Sequence, residues 1–87
     1  MYVIIVYDVE ESRVNKVCKF LRMYLNWIQN SVFEGNLTVS ELKKVKKELK
    51  KIIDTNYDSV LIFEMRDKRY VDKEVLGIEK TELTNIF

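Results

Sequence analysis

Residues Tyr2 to Tyr7 form an unbroken run of β-branched and aromatic side chains, closed by the carboxylate of Asp8. Their number and type favour a strand over a buried helical turn. Alternation along a strand sends Val3, Ile5 and Tyr7 to one face, and Tyr2, Ile4, Val6 and Asp8 to the other. Both faces are apolar, so the strand is expected to be central and covered on both sides. Asp8 stands at its C-terminal end, where that cover runs out.

Glu10, Glu11 and Ser12 make a polar break with acids suited to a helix N-terminus. Val14, Val17, Cys18, Leu21 and Leu25 then recur at three- and four-residue spacing, one face of an amphipathic helix. Arg13, Lys16, Lys19 and Arg22 fall off that face, where such residues are first of all solvated. Asn26 to Phe33 returns to strand-like composition, with Gln29-Asn30-Ser31 marking a bend or bulge, or a break into two short strands. Glu34-Gly35-Asn36 reads as a turn, and Thr38 or Ser40 can cap the helix that follows. Leu42, Val45, Leu49, Ile52 and Ile53 mark its apolar stripe, and six lysines between Lys43 and Lys51 lie off it. Asp54 to Asn56 breaks this helix. Tyr57 to Met65 is a further strand, apolar on both faces at its centre, and Val75 to Glu79 is a short last strand.

This order predicts an α+β fold, a ferredoxin-like βαββαβ sandwich with an added C-terminal strand. Both helices then lie on one face of an antiparallel sheet, and the other face carries large exposed apolar residues. A homodimer that buries two such faces is the simplest resolution. Segment 74–87, ending in Ile86-Phe87, is expected to contribute to that dimer by adding to the partner's sheet edge.

Composition narrows the chemistry. The 87 residues fit one domain, and two glycines and no proline leave no linker. No apolar run approaches the roughly 18 residues that span a membrane, and no signal segment precedes the first strand, so a cytoplasmic location is expected. Without histidine, imidazole base catalysis and histidine-liganded zinc are excluded; a lone Cys18 excludes a multi-cysteine metal site. Chemistry in this chain therefore falls to carboxylates, which suit hard ions such as Mg2+.

Asp8 carries two readings. It can end a strand and accept turn hydrogen bonds. In the dimer it would meet its symmetry mate, and the two carboxylates could share one Mg2+ that activates water and offsets phosphodiester charge.

Tyr7-Asp8-Val9 at the end of the first strand, the amphipathic helix after it, and Gln29-Asn30-Ser31-Val32-Phe33-Glu34-Gly35 resemble the CRISPR-associated "Cas-two" family. The pattern Q-x-S-V-F-x-G is the most specific element, and the resemblance extends to Gly77-Ile78-Glu79. It implies a homodimer that acts in spacer acquisition with the Cas-one integrase. It also implies, for some members, a metal-dependent endonuclease on single-stranded RNA or duplex DNA. By that resemblance Asp8 is the catalytic and metal-binding acid, with Tyr7 and Phe33 near the site. Arg13 and Lys16 fall where the family carries basic residues on the first helix. Many members have a basic residue just before the mid-chain motif, where this chain has Asn26-Trp27-Ile28. Ser31 is a candidate phosphate contact, or caps the bend. Lys43, Lys46, Lys47 and Lys50 are candidates for a sequence-independent duplex contact.

Two functions follow as expectations: a magnesium-dependent endonuclease using Asp8, or a non-catalytic DNA-binding scaffold in which Asp8 is structural. A small-molecule-sensing domain is the weaker third, because the chain has no glycine-rich loop.

Overall fold

The computed structural model describes residues 1–81, and in it the alternating apolar run is strand β1, Tyr2–Asp8. Helix α1 (Glu11–Arg22), strands β2 (Asn26–Gln29) and β3 (Val32–Asn36), helix α2 (Val39–Ile52) and strand β4 (Ser59–Met65) follow. The sheet is antiparallel in the order β2-β3-β1-β4, so β1 is central as its composition requires. This is the ferredoxin-like plan.

Each helix starts where local chemistry dictates. The Glu10 carboxylate accepts from the Ser12 N–H at 3.1 Å and caps α1. Thr38 and Glu41 form a reciprocal capping box at α2: the Glu41 N–H donates to Thr38 Oγ1 at 3.1 Å, and the Thr38 N–H to Glu41 Oε1 at 2.9 Å. From α1, Val17 and Leu21 are buried, and from α2, Leu42, Val45 and Leu49. They pack on Val3, Ile5 and Tyr7 of β1 and Phe33 of β3, which form the core.

The mid-chain motif has a physical account. Gln29 ends β2, and Asn30 turns the chain with φ of 43°, a left-handed conformation that asparagine tolerates. The Trp27 indole N–H holds the turn by donating to the Asn30 carbonyl at 3.0 Å. A register shift between Trp27 and Gln29 is the bulge, so the segment is two short strands joined by a tight turn. Phe33 enters the core. Gly35 leaves room for Leu25, whose Cδ2 would lie 2.9 Å from a Cβ at that position.

Two expected boundaries shift. Tyr57 lies in the turn before β4 and is exposed, because the backbone from Asp54 to Asp58 closes on itself through N–H groups of Tyr57 and Asp58 donating to the Asp54 carbonyl. The short last strand over Val75–Glu79 is not formed. Gly77 has φ of 92°, which breaks an extended path, and no neighbouring strand pairs with this stretch among the described residues. Ile86-Phe87 lies outside the described residues.

The face of the sheet away from the helices is open. Leu61 and Phe63 of β4 are 54% and 51% exposed there, beside half-buried Ile4 and Val6 of β1. Tyr2, on the same face, is buried instead. Its hydroxyl donates to Glu34, whose carboxylate also meets Lys73 at 3.5 Å and so ties the chain after β4 to this end of the sheet.

Thr38→Ala is expected to lower stability by about 1 kcal/mol through loss of the capping box. Phe33→Ala is expected to lower it by roughly 3–5 kcal/mol by emptying a fully buried site. Urea unfolding followed by circular dichroism measures both.

Candidate active site

Asp8 is the last residue of β1 and stands directly across from Ser59, the first residue of β4. It shares the open face with Ile4, Val6, Leu61 and Phe63, as period-two alternation requires. Its side chain is exposed and makes no hydrogen bond or ion pair among the described residues. A carboxylate held on a rigid strand end, free of protein partners, suits a hard divalent cation as one oxygen ligand. No group of three potential metal ligands converges among the described residues. A cation held at Asp8 would therefore need the rest of its shell from water, substrate or a second copy of the chain.

The most heavily bonded side chain among the described residues belongs to Asp58, one position before Ser59. The Asp58 carboxylate, only 1% exposed, accepts from Arg13 Nε at 2.6 Å and Nη2 at 2.9 Å. It also accepts from the backbone N–H groups of Glu10 at 2.9 Å and Asp54 at 2.8 Å. Hydrogen bonds from the Arg13 guanidinium hold the Asp58 carboxyl well below the usual carboxylate range, outweighing its desolvation. The same contact raises Arg13. Glu10 is lowered chiefly by its hydrogen bonds from Ser12. Arg13 is therefore engaged within the fold by Asp58, with its side chain still partly exposed. The pairing was hidden from sequence reasoning because its partners lie 45 residues apart. The trace available was a lone acid between Tyr57 and the apolar run of β4.

Tyr7 and Phe33 are not brought to Asp8. They point to the helix face, both buried, with ring centroids 6.2 Å apart. Burial pushes the Tyr7 phenol up, the Cys18 thiol beside it adds to the rise, and Ser31 and Arg22 act in the opposite direction. Ser31 is thus a turn residue against Tyr7: its carbonyl accepts from the Tyr7 N–H at 3.0 Å. Tyr7 neighbours Asp8 along the chain but lies across the sheet from it, because successive residues of a strand face opposite ways.

The lysines divide. Lys46 pairs with Glu64 at 2.8 Å and Lys51 with Glu48 at 3.3 Å. Lys43, Lys47 and Lys50 of α2, and Lys16 of α1, are exposed and have no ion-pair partner among the described residues. No helix of the described residues is long and apolar enough to cross a membrane.

The fold and site define a class: a small ferredoxin-like α+β sandwich with one free carboxylate at the end of its central strand and unpaired lysines on its helices. A model of the family "CRISPR associated protein Cas2" matches residues 1–73. The CRISPR-associated endoribonuclease Cas2 of Pyrococcus furiosus is 56% identical over 86 residues, covering 99% of both chains. A crystal structure of Cas2 superposes with a TM-score of 0.86 at 49% identity, covering 92% of this chain and 90% of that one. Streptococcus pyogenes Cas2 superposes with a TM-score of 0.76 at 34% identity, covering 88% and 100%. The chain belongs to the CRISPR-associated Cas2 family.

The Asp58 carboxyl has a folded pKa below its unfolded value of about 3.9, so its contribution to stability is complete above that value and is lost as pH falls through the folded one. Asp58→Asn is expected to melt below wild type at pH 7, with the gap narrowing below about pH 4, where the unfolded wild-type chain takes up a proton that the folded carboxylate does not. Thermal melts at pH 7, 4 and 2.5 measure this; a constant gap would contradict it.

Proposed function

We propose that this protein is a homodimeric, magnesium-dependent endonuclease whose paired Asp8 carboxylates hold one Mg2+. The observation that carries this reading is the free, exposed carboxylate of Asp8 on the open apolar face bearing Leu61 and Phe63. Covering that face with a second copy removes apolar surface from water and brings two carboxylates toward one axis. Two like charges in a covered face are costly unless a cation lies between them. Relatives named endoribonucleases support single-stranded RNA as the substrate, with duplex DNA the alternative. The exposed side chains of segment 71–79, Leu76 and Ile78 among them, are available to extend the dimer.

In this reading Asp8 orients the cation and is itself held by the end of β1. Bound Mg2+ would supply Lewis-acid stabilisation of the phosphodiester and a more acidic water. Lys16, Lys43, Lys47 and Lys50 attract the phosphate backbone without reading sequence. The physiological setting is the cytoplasm, in spacer acquisition with the Cas-one integrase. A second reading, a DNA-binding scaffold of the integrase, is favoured by a separate observation: among the described residues no three potential metal ligands converge, yet several lysines are unpaired.

Asp8→Ala is expected to reduce magnesium-dependent cleavage of a labelled single-stranded RNA at least 100-fold, on the scale at which catalytic groups act, with dimer mass unchanged by ultracentrifugation. Undiminished cleavage would leave the scaffold reading. Phe63→Glu is expected to yield a monomer without activity. Replacing Lys43, Lys47 and Lys50 by glutamine is expected to weaken nucleic-acid binding and lower the slope of log affinity against log salt by about 1 per lysine.

A further inference from the structure

Two parts of the chain that are distant in sequence, residues 10–13 and 54–58, meet on the Asp58 carboxylate. Its Oδ1 accepts from the Glu10 N–H and from Arg13 Nη2, and its Oδ2 from the Asp54 N–H and Arg13 Nε. Glu10 follows Asp8 by two residues, at the point where the chain leaves β1 for α1. Ser59 follows Asp58 directly and is the residue that faces Asp8 across the ladder. One carboxylate thus fixes both strands at the place where they present Asp8: the exit of β1 on one side and the entry of β4 on the other. Arg13 completes the arrangement from the first turns of α1, engaging both carboxylate oxygens and meeting the Glu10 carboxylate at 3.6 Å.

We propose that Arg13 and Asp58 are positioning residues for Asp8, setting the backbone of the β1–α1 junction so that the carboxylate points into the open face at a fixed place. The proposal rests on the reading of Asp8 as the catalytic acid. It assigns Arg13 a role different from nucleic-acid contact, which its place on a basic helix would imply. The two roles have different chemical requirements. A phosphate contact needs a cation, which lysine also supplies. The junction needs a planar fork that reaches both oxygens of Asp58 at once, which lysine cannot supply. Misplacing a catalytic group by about 1 Å costs roughly 100-fold in rate, so loss of the fork is felt in turnover rather than in substrate affinity.

The test compares wild type, Asp8→Ala, Arg13→Lys, Arg13→Gln and Asp58→Asn as full-length dimers, cleaving labelled single-stranded RNA in Mg2+. Amide hydrogen exchange is measured on each. The expected result is that Arg13→Lys and Asp58→Asn lower kcat by 10- to 100-fold, with KM and the salt dependence of RNA binding within twofold of wild type. Exchange at residues 8–10 is expected to be at least tenfold faster in both, with protection of α2 retained. If Asp58→Asn does not fold, Arg13→Lys, which keeps the cation and the side-chain length, carries the comparison. An Arg13→Lys variant with full kcat overturns the proposal. So does an effect confined to KM in Arg13→Gln, which would make Arg13 a substrate contact. So does faster exchange at residues 8–10 with unchanged kcat, which would leave the pair a purely structural staple. Cleavage indifferent to Asp8→Ala overturns the reading of Asp8 and this proposal with it. Cleavage that needs Asp8 but ignores Arg13 and Asp58 overturns the proposal alone.

Discussion

Four strands spaced about 4.8 Å apart make a sheet roughly as wide as two helices of about 10 Å laid side by side. The twelve residues of α1 and fourteen of α2 therefore cover one face of this sheet and have nothing left for the other. That shortage governs the rest. Val3, Ile5, Tyr7 and Phe33 are committed to the covered face and make the core. Ile4, Val6, Leu61 and Phe63 are left on the other, an open apolar surface in the single chain. Asp8 falls among the second group by strand alternation alone. Its chemistry is inseparable from whatever covers that face.

Charge is organised around the same division. Several ion pairs tie one part of the fold to another: Arg13 with Asp58, Lys46 with Glu64, Lys73 with Glu34. The exposed lysines of α2 that remain unpaired among the described residues, Lys43, Lys47 and Lys50 among them, lie on the helix layer. A polyanion drawn to that layer would be held by long-range attraction, which is effective over roughly a Debye length of 8–10 Å at moderate salt and needs no fixed geometry. Asp8 offers the opposite kind of interaction, short in range and dependent on placement. On the proposed reading, binding and chemistry would be divided between the two faces of one thin sandwich.

Much of this was legible in the sequence because it depends on local periodicity. The faces of β1, the capping box at Thr38 and the apolar stripes of both helices follow from residues within a few positions of one another. What was not legible depends on closure in three dimensions. Arg13 reads as one more cation on a basic helix until Asp58 is brought against it. Lys46 looks the same as Lys47 until β4 supplies Glu64. The expected strand over Val75–Glu79 had suitable composition, but a strand is defined by its neighbour, and Gly77 departs from extended geometry. Tyr7 is a different case: alternation placed it on the core face, as found, while its place near the Asp8 site was implied by the family resemblance alone.

The β1–β4 ladder has a kinetic consequence. The β2–β3 hairpin can close early, since its strands are joined by a tight turn. Asp8 meets Ser59, and Arg13 meets Asp58 across 45 residues of chain, only after both helices and the hairpin between them have been gathered in. Contacts of such long range are late because the loop they close must be ordered first. A nascent or partly unfolded chain therefore carries its acid on a loose end, with neither the facing strand nor the buried carboxylate in place. On the proposed reading of Asp8, the placement that chemistry would need is absent from an incompletely folded chain.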